Sequence, residues 1–336
     1  MKKEKKKHSK KFTIITTCAI SSGIIALSVA AGMWFGFVDP ALCSQVNYDS
    51  FYTTWMKNVK DDAKIADIVM PGSHDAGTFG IMPQARCQGH DIITQLNSGV
   101  RYFDIRVTDR GNDLVIFHGP IMGQDFKEVA DDFNEFILAN PSEFVVIDFQ
   151  HIGDSVHQQI IDMVKEKLPM DKMLPSGVYK SIDKVDMSLL RENKYNFMIT
   201  WNDKSEAEAN DFYTRSESLR SEYNGSKHKE SNEALINEFE TYYNNAEANK
   251  LFVLQAQRTA KTLLGKPSMY EKNFKDDVNK FIANIKNDAV KLDKTNIIMR
   301  DFIISDKENL DTILSLNLNK NLIKADAIQT YSSFVL

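Results

Sequence analysis

Val69-Met70-Pro71-Gly72-Ser73-His74-Asp75-Ala76-Gly77-Thr78 is the stretch on which the reading of this chain turns. An apolar run ends at a proline and a glycine and delivers a histidine and a carboxylate. That is the pattern of a buried strand presenting chemistry at its C-terminal end. Two further stretches repeat it: Gly99-Val100-Arg101-Tyr102-Phe103-Asp104-Ile105-Arg106 and Leu114-Val115-Ile116-Phe117-His118-Gly119. Two histidines, carboxylates and an arginine supply a base, an acid and an anion clamp, which is what metal-free cleavage of a phosphodiester requires.

Around these motifs, apolar runs alternate with amphipathic stretches. Strands are predicted at 65–70, 101–107, 114–117, 144–149, 195–201, 251–255 and 296–304. Apolar residues at Phe126, Val129, Phe133, Phe136 and Ile137 keep close to the 3.6-residue period, and 160–168 and 274–285 are similar. Continuous apolar strands separated by helices indicate a parallel sheet covered by helices, and seven or eight of them an α/β fold of the (β/α) TIM-barrel type. The stretch 203–250 breaks the pattern. It is polar and charged, with a turn at Asn224-Gly225-Ser226. It reads as a solvated helical insertion, or as a rim whose Phe212, Tyr213, Tyr223, Tyr242 and Tyr243 touch substrate.

Composition bounds the rest. Of 336 residues with a net charge of −5, the first eleven carry seven lysines and one glutamate, so the remainder is strongly acidic. An acidic body argues against nucleic acid as a partner and against strong attraction to anionic bilayers. Residues 12–38 contain no charge. That is long enough to span a bilayer, and the preceding lysines predict a cytoplasmic tail at 1–11, a transmembrane signal anchor at 12–38 and an extracellular body at the cell membrane. A secretory signal cleaved near Ala30 or Ala31 is the alternative. A connector at 39–60 and a catalytic barrel at 61–336 follow. There are three cysteines; Cys43 and Cys87 read as isolated thiols, with pairing open in an oxidising exterior.

The three motifs, in this order, resemble the X domain of phosphatidylinositol-specific phospholipase C, whose members read PGSHD, then R-[YF]-F-D-[IL]-R, then H-G. The resemblance covers 65–151 and returns at 296–303. It implies a distorted, incompletely closed barrel of the phospholipase C-like phosphodiesterase type. It also implies that His74 is the general base toward the inositol 2-hydroxyl, with Asp301 as its orienting partner, and that His118 is the acid for the departing diacylglycerol oxygen, held charged by Asp75 and Asp104. Calcium-dependent relatives have an acidic E-x-D pair where this chain has Asp104-Ile105-Arg106. An arginine there replaces the metal by a fixed cation that can grip phosphate oxygens, so no cofactor and no metal are expected. Gln150 occupies the place of a lysine or an acid in relatives. Arg258 or Asp203 would serve the inositol hydroxyls. The expected partner is phosphatidylinositol or a related phospholipid. The expected products are diacylglycerol and inositol 1,2-cyclic phosphate. A related phosphodiesterase for another head group, or a non-catalytic phosphoinositide- or glycan-binding barrel, are the alternatives; the latter would be expected to have lost His74, His118 or Arg106.

Overall fold

Strand residues dominated by Ile, Val, Phe and Met bury both faces and so pair in parallel. In the computed structural model, which describes residues 40–262 and 265–336, they form one sheet. Its strands are β1 (Met70–Ser73), β2 (Tyr102–Arg110), β3 (Asp113–His118), β4 (Ile121–Asp125), β5 (Val145–Ile152), β6 (Phe197–Trp201), β7 (Tyr213–Thr214), β8 (Leu219–Ser221), β9 (Leu251–Gln255) and β10 (Ile297–Arg300). The order is β7-β6-β5-β2-β1-β10-β9-β8, with every neighbouring pair on this path parallel. β1, β6, β9 and β10 are buried at every position. The two end strands, β7 and β8, are consecutive in the chain and joined by a single helical turn, Arg215–Ser218. The sheet therefore comes round to itself and is left open at that turn, as a distorted α/β barrel. Helices at Phe126–Ala139, His157–Lys167 and Pro267–Asn284 occupy the predicted periodic stretches.

Several elements differ from the expectation, each for a physical reason. The first strand starts at Met70, not at 65. Pro71 lacks an N–H, and it sits on the β2 side of β1 just before pairing with β2 begins at Gly72 and Tyr102; its carbonyl accepts from the Arg101 N–H at 3.0 Å. The 114–117 strand is not a barrel strand. β3 is antiparallel to β2, because the two-residue link Gly111-Asn112 (φ +71° at Gly111) can join only antiparallel partners, and β4 completes the hairpin. The 203–250 stretch is helical at Lys204–Ala209, Gly225–Glu230 and Asn232–Asn244, yet it also supplies β7 and β8. Of its aromatics, Phe212, Tyr213, Tyr242 and Tyr243 are core residues, and only Tyr223 is exposed.

Residues of the 39–60 stretch pack onto the barrel: Tyr52, Trp55, Met56 and Val59 are buried, and the Trp55 indole donates to the Gly99 carbonyl at 3.0 Å. Cys43 and Cys87 are both free thiols. The expected single-pass cell-membrane location with an extracellular catalytic domain is corrected. Among the described residues no helix is long and apolar enough to cross a membrane, and 1–11 and 12–38 lie outside the described residues.

Candidate active site

Register brings the first pair of functional side chains together. β1 and β10 run parallel with Ser73 opposite Arg300, so the next residues, His74 and Asp301, leave adjacent strand ends side by side. Each is followed by a non-glycine residue in the left-handed region, Asp75 at φ 45° and Phe302 at φ 46°. Such conformations cost about 1–3 kcal/mol each and persist only where surrounding contacts impose them. Here the Ala76 N–H is held by the Asp104 carbonyl at 2.9 Å and the Phe302 N–H by the Cys87 carbonyl at 2.8 Å. The outcome is a 2.7 Å hydrogen bond between His74 Nδ1 and Asp301 Oδ1. With Nδ1 donating to the carboxylate, Nε2 presents its lone pair. Burial moves both groups toward their neutral forms: it lowers His74 to about 4 and raises Asp301 to about 7.

β2 supplies the cation. The pairing of β2 with β5 shifts between Ile105 and Arg106, an irregularity that re-aims the following side chain. Arg106 then reaches Asp75 Oδ1 through Nε (2.7 Å) and Asp104 Oδ2 through Nη2 (2.8 Å). The same Nη2 lies 3.1 Å from His74 Nε2 and 3.2 Å from Gln150 Oε1. Burial pushes the Asp104 carboxyl up, but the Arg106 guanidinium overrides it and holds that carboxyl at about 2. The other arginine of the motif plays a different part. Arg101 is wholly buried at the opposite end of the strand, where it pairs with Glu143 (2.7 Å) and donates to the carbonyls of Leu96 and Thr53.

His118 arrives on the β3–β4 hairpin. Its Nδ1 bonds the Ala85 carbonyl at 2.8 Å and stands 3.5 Å from Asp75 Oδ2. Nε2 has no protein partner among the described residues, and the ring lines the cavity. Asp104 was expected beside His118. It is instead committed to Arg106 and to the Asp75 N–H (3.1 Å), because it leaves β2 on the His74 side while the hairpin carries His118 away.

These groups face one cavity of about 690 Å³, lined by His74, Arg106, His118, Gln150, Arg258 and Asp301 among others. Of the expected substrate contacts, Asp203 is not there. Its side chain accepts from the Glu206 N–H at 2.9 Å as the N-cap of an exposed helix. Arg258 is buried, donates to Asn232 Oδ1 at 2.8 Å and faces Phe274, with no carboxylate partner among the described residues. A groove of about 750 Å³ between outer helices has more space but no histidine or arginine in its lining. Sequence reasoning missed Cys87, which is buried against Asp75, His118 and Asp301, and whose thiol is pushed up by burial first and then by the two carboxylates. It also missed Gln88, whose amide ties the carbonyls of His74 and Arg300 together at 2.8 and 2.9 Å. Neither stands in a motif; both arrive on the 76–91 loop, which folds back over the strand ends.

The family described as phosphatidylinositol-specific phospholipase C, X domain, matches residues 65–200. Residues 65–200 are thus similar to that domain. It is similar to a 1-phosphatidylinositol phosphodiesterase of Listeria monocytogenes, 26% identical over 281 residues, covering 78% of this chain and 84% of the relative. A protein of the same description from Staphylococcus aureus is 32% identical over 108 residues, 30% of this chain and 35% of that one. The solved phosphatidylinositol-specific phospholipase C from Listeria monocytogenes superposes with a TM-score of 0.60 at 21% identity, over 79% of this chain and 98% of that one. A Staphylococcus aureus structure gives 0.58 at 19% identity over 80% and 99%. At such identities the superpositions speak for the fold, and the fold they share is the distorted α/β barrel described above.

Proposed function

We propose that this chain cleaves phosphatidylinositol into diacylglycerol and inositol 1,2-cyclic phosphate without a metal, as a phosphoric diester hydrolase and lyase. The observation that carries the reading is the His74 Nε2 lone pair, oriented by Asp301 at 2.7 Å and set beside the Arg106 guanidinium in a cavity that also holds His118. Burial keeps His74 neutral at ordinary pH, so Nε2 accepts the proton of the inositol 2-hydroxyl, and Asp301 stabilises the imidazolium that results. The oxygen attacks phosphorus. Arg106 turns an N–H from His74 to the phosphate oxygens as charge builds there, while Asp75 and Asp104 keep the guanidinium in place. The phosphorus–oxygen bond to diacylglycerol breaks, and His118 delivers its proton to that leaving oxygen. Asp75, 3.5 Å from His118, is the carboxylate behind the acid.

Gln150 and Arg258 are assigned to head-group contacts, since both line the cavity. The catalytic unit is placed at 61–336. The neutral Gln150 amide, bonded to Arg106, favours a second reading, a related phosphodiester with a different head group. One experiment addresses both. The full chain is incubated with phosphatidylinositol and a panel of other phospholipids in excess chelator, and phosphorus NMR is followed. A cyclic phosphate signal from phosphatidylinositol alone is expected. A signal only from another lipid would move the assignment to that head group, and restoration of a silent chelated enzyme by calcium would refute metal-free catalysis.

A further inference from the structure

The proposed cycle uses no thiol, yet Cys87 is buried inside the site. Its Sγ lies 3.6 Å from Asp75 Oδ2, and Asp75 Oδ2 lies 3.4 Å from His74 Nε2. The three donor atoms of His74, Asp75 and Cys87 all fall within 4.8 Å of one another. Zinc bonds of about 2.0–2.2 Å to nitrogen and oxygen and about 2.3 Å to sulfur, in a tetrahedron, give donor–donor edges of about 3.4 and 3.6 Å. Two of the three edges already have those lengths. His118 Nδ1 stands close by, 3.5 Å from Asp75 Oδ2 and 3.7 Å from Cys87 Sγ.

We propose that His74, Asp75 and Cys87 form a site for a thiophilic divalent cation such as Zn²⁺, and that its occupation switches the enzyme off. The donor set combines imidazole, carboxylate and thiol, which selects zinc or cobalt over calcium or magnesium. Asp75 is already divided between two tasks: Oδ1 faces Arg106 at 2.7 Å, leaving Oδ2 toward the thiol and the imidazoles. Entry is through the cavity, which His74 and Cys87 line. On binding, the thiol proton passes to the solvent, and the Arg106 N–H leaves His74 Nε2 while Arg106 keeps Asp104. That displacement makes the site reversible and weaker than a structural zinc centre. Three protein donors leave a fourth position for cavity water. A cation there occupies the His74 lone pair that the reaction needs, so loss of activity rests on the function proposed above, whereas the site itself does not.

The test uses the full chain with Co²⁺ as a spectroscopic probe and Zn²⁺ as the inhibitor. One Co²⁺ per chain should give a thiolate-to-cobalt charge-transfer band, bleached by Zn²⁺. The band should be lost in Cys87→Ala and kept in Cys43→Ala. Zn²⁺ should stop lipid cleavage reversibly to chelator, with an inhibition constant at least about tenfold higher in Cys87→Ala, the scale of losing one ligand or its support. Cys87→Ser provides the same comparison if the alanine variant does not fold. Absence of the band in the wild type, or band and inhibition unchanged in both Cys87 variants, would overturn the proposal. A band that obeys these rules in a chain that cleaves no phosphatidylinositol would leave the site standing and refute the functional reading instead.

Discussion

Arg106 should separate stability from catalysis when it is replaced in two ways. In Arg106→Ala the buried carboxylates of Asp75 and Asp104 lose their cation. Arg106 holds Asp104 at about 2 against burial, where the ordinary value is 3.8. That difference alone is worth about 2 kcal/mol at neutral pH. Stranding Asp75 as well brings the expected loss to about 3–5 kcal/mol, the usual cost of breaking a buried pair by removing one partner. Arg106→Lys keeps the charge and should recover most of that stability. A single ammonium, however, cannot meet Asp75, Asp104 and the phosphate at once, as the forked guanidinium does. Both variants should therefore fall by about 10²–10³ in kcat, or about 3–4 kcal/mol of lost transition-state stabilisation.

The pH dependence adds a sign. In the wild type, the Asp104 contribution is present above its ordinary pKa of 3.8 and lost as pH falls through about 2. In Arg106→Ala, burial acts on Asp104 without the guanidinium to oppose it and raises that carboxyl, so it opposes folding when ionised. The stability gap between wild type and Arg106→Ala should narrow as pH is lowered from about 7 to about 5. Denaturant unfolding at the two pH values, beside kcat/KM in chelator, measures all of this. A gap that widens on acidification, or Arg106→Lys with the wild-type rate, would refute the reasoning.

His118→Ala should regain much of its rate on a nitrophenyl inositol phosphate, whose leaving group needs little protonation, while His74→Ala should not; equal rescue of both would reverse or void the assigned roles. Asp301→Asn keeps an acceptor at 2.7 Å from His74 Nδ1 but not the charge, so kcat should drop less than in His74→Ala, with KM little changed. Arg101→Ala, which strands buried Glu143, should cost about 3–5 kcal/mol in unfolding free energy while the folded fraction keeps its specific activity; a selective loss of kcat at intact stability would place Arg101 in the site instead.

The parts of this site that were legible in the sequence are those carried on single strands. Asp104 and Arg106 sit two apart on β2, and His74 and Asp301 each follow directly on a buried strand, so their place at the strand ends is readable, although the aim of Arg106 also depends on the register shift after Ile105. What was hidden depends on chain reversals. The Gly111-Asn112 link that makes β3 antiparallel is visible in the sequence, yet an apolar run such as 114–117 reads the same in a hairpin and in a barrel. Asp203 was misread although Asp203-Lys204-Ser205-Glu206 has the spacing of a helix N-cap, which is the part it plays. β7 and β8, two and three residues long, are too short to show any period, and only the sheet's circular order reveals them.

The electrostatics of the site tie its chemistry to its vulnerability. Of the three buried carboxylates Asp75, Asp104 and Asp301, Arg106 pairs directly with the first two. Arg106 alone does not balance them, and burial makes an unbalanced carboxylate costly, which is why Asp301 sits so far above the ordinary carboxylate range. Such a site borrows positive charge. On the proposed catalytic route the loan is a proton, taken up by His74 as the 2-hydroxyl ionises and stabilised by Asp301 at the moment it appears. The guanidinium is meanwhile freed to face the phosphate without stranding its carboxylates, because Asp75 and Asp104 hold it from behind. On the other route the loan is a divalent cation at the same lone pair, attracted by the same carboxylates and captured by a thiol that catalysis never calls upon. In the proposed reaction Arg106 supplies the fixed positive charge, and it does so without removing the acidic surroundings that draw cations in.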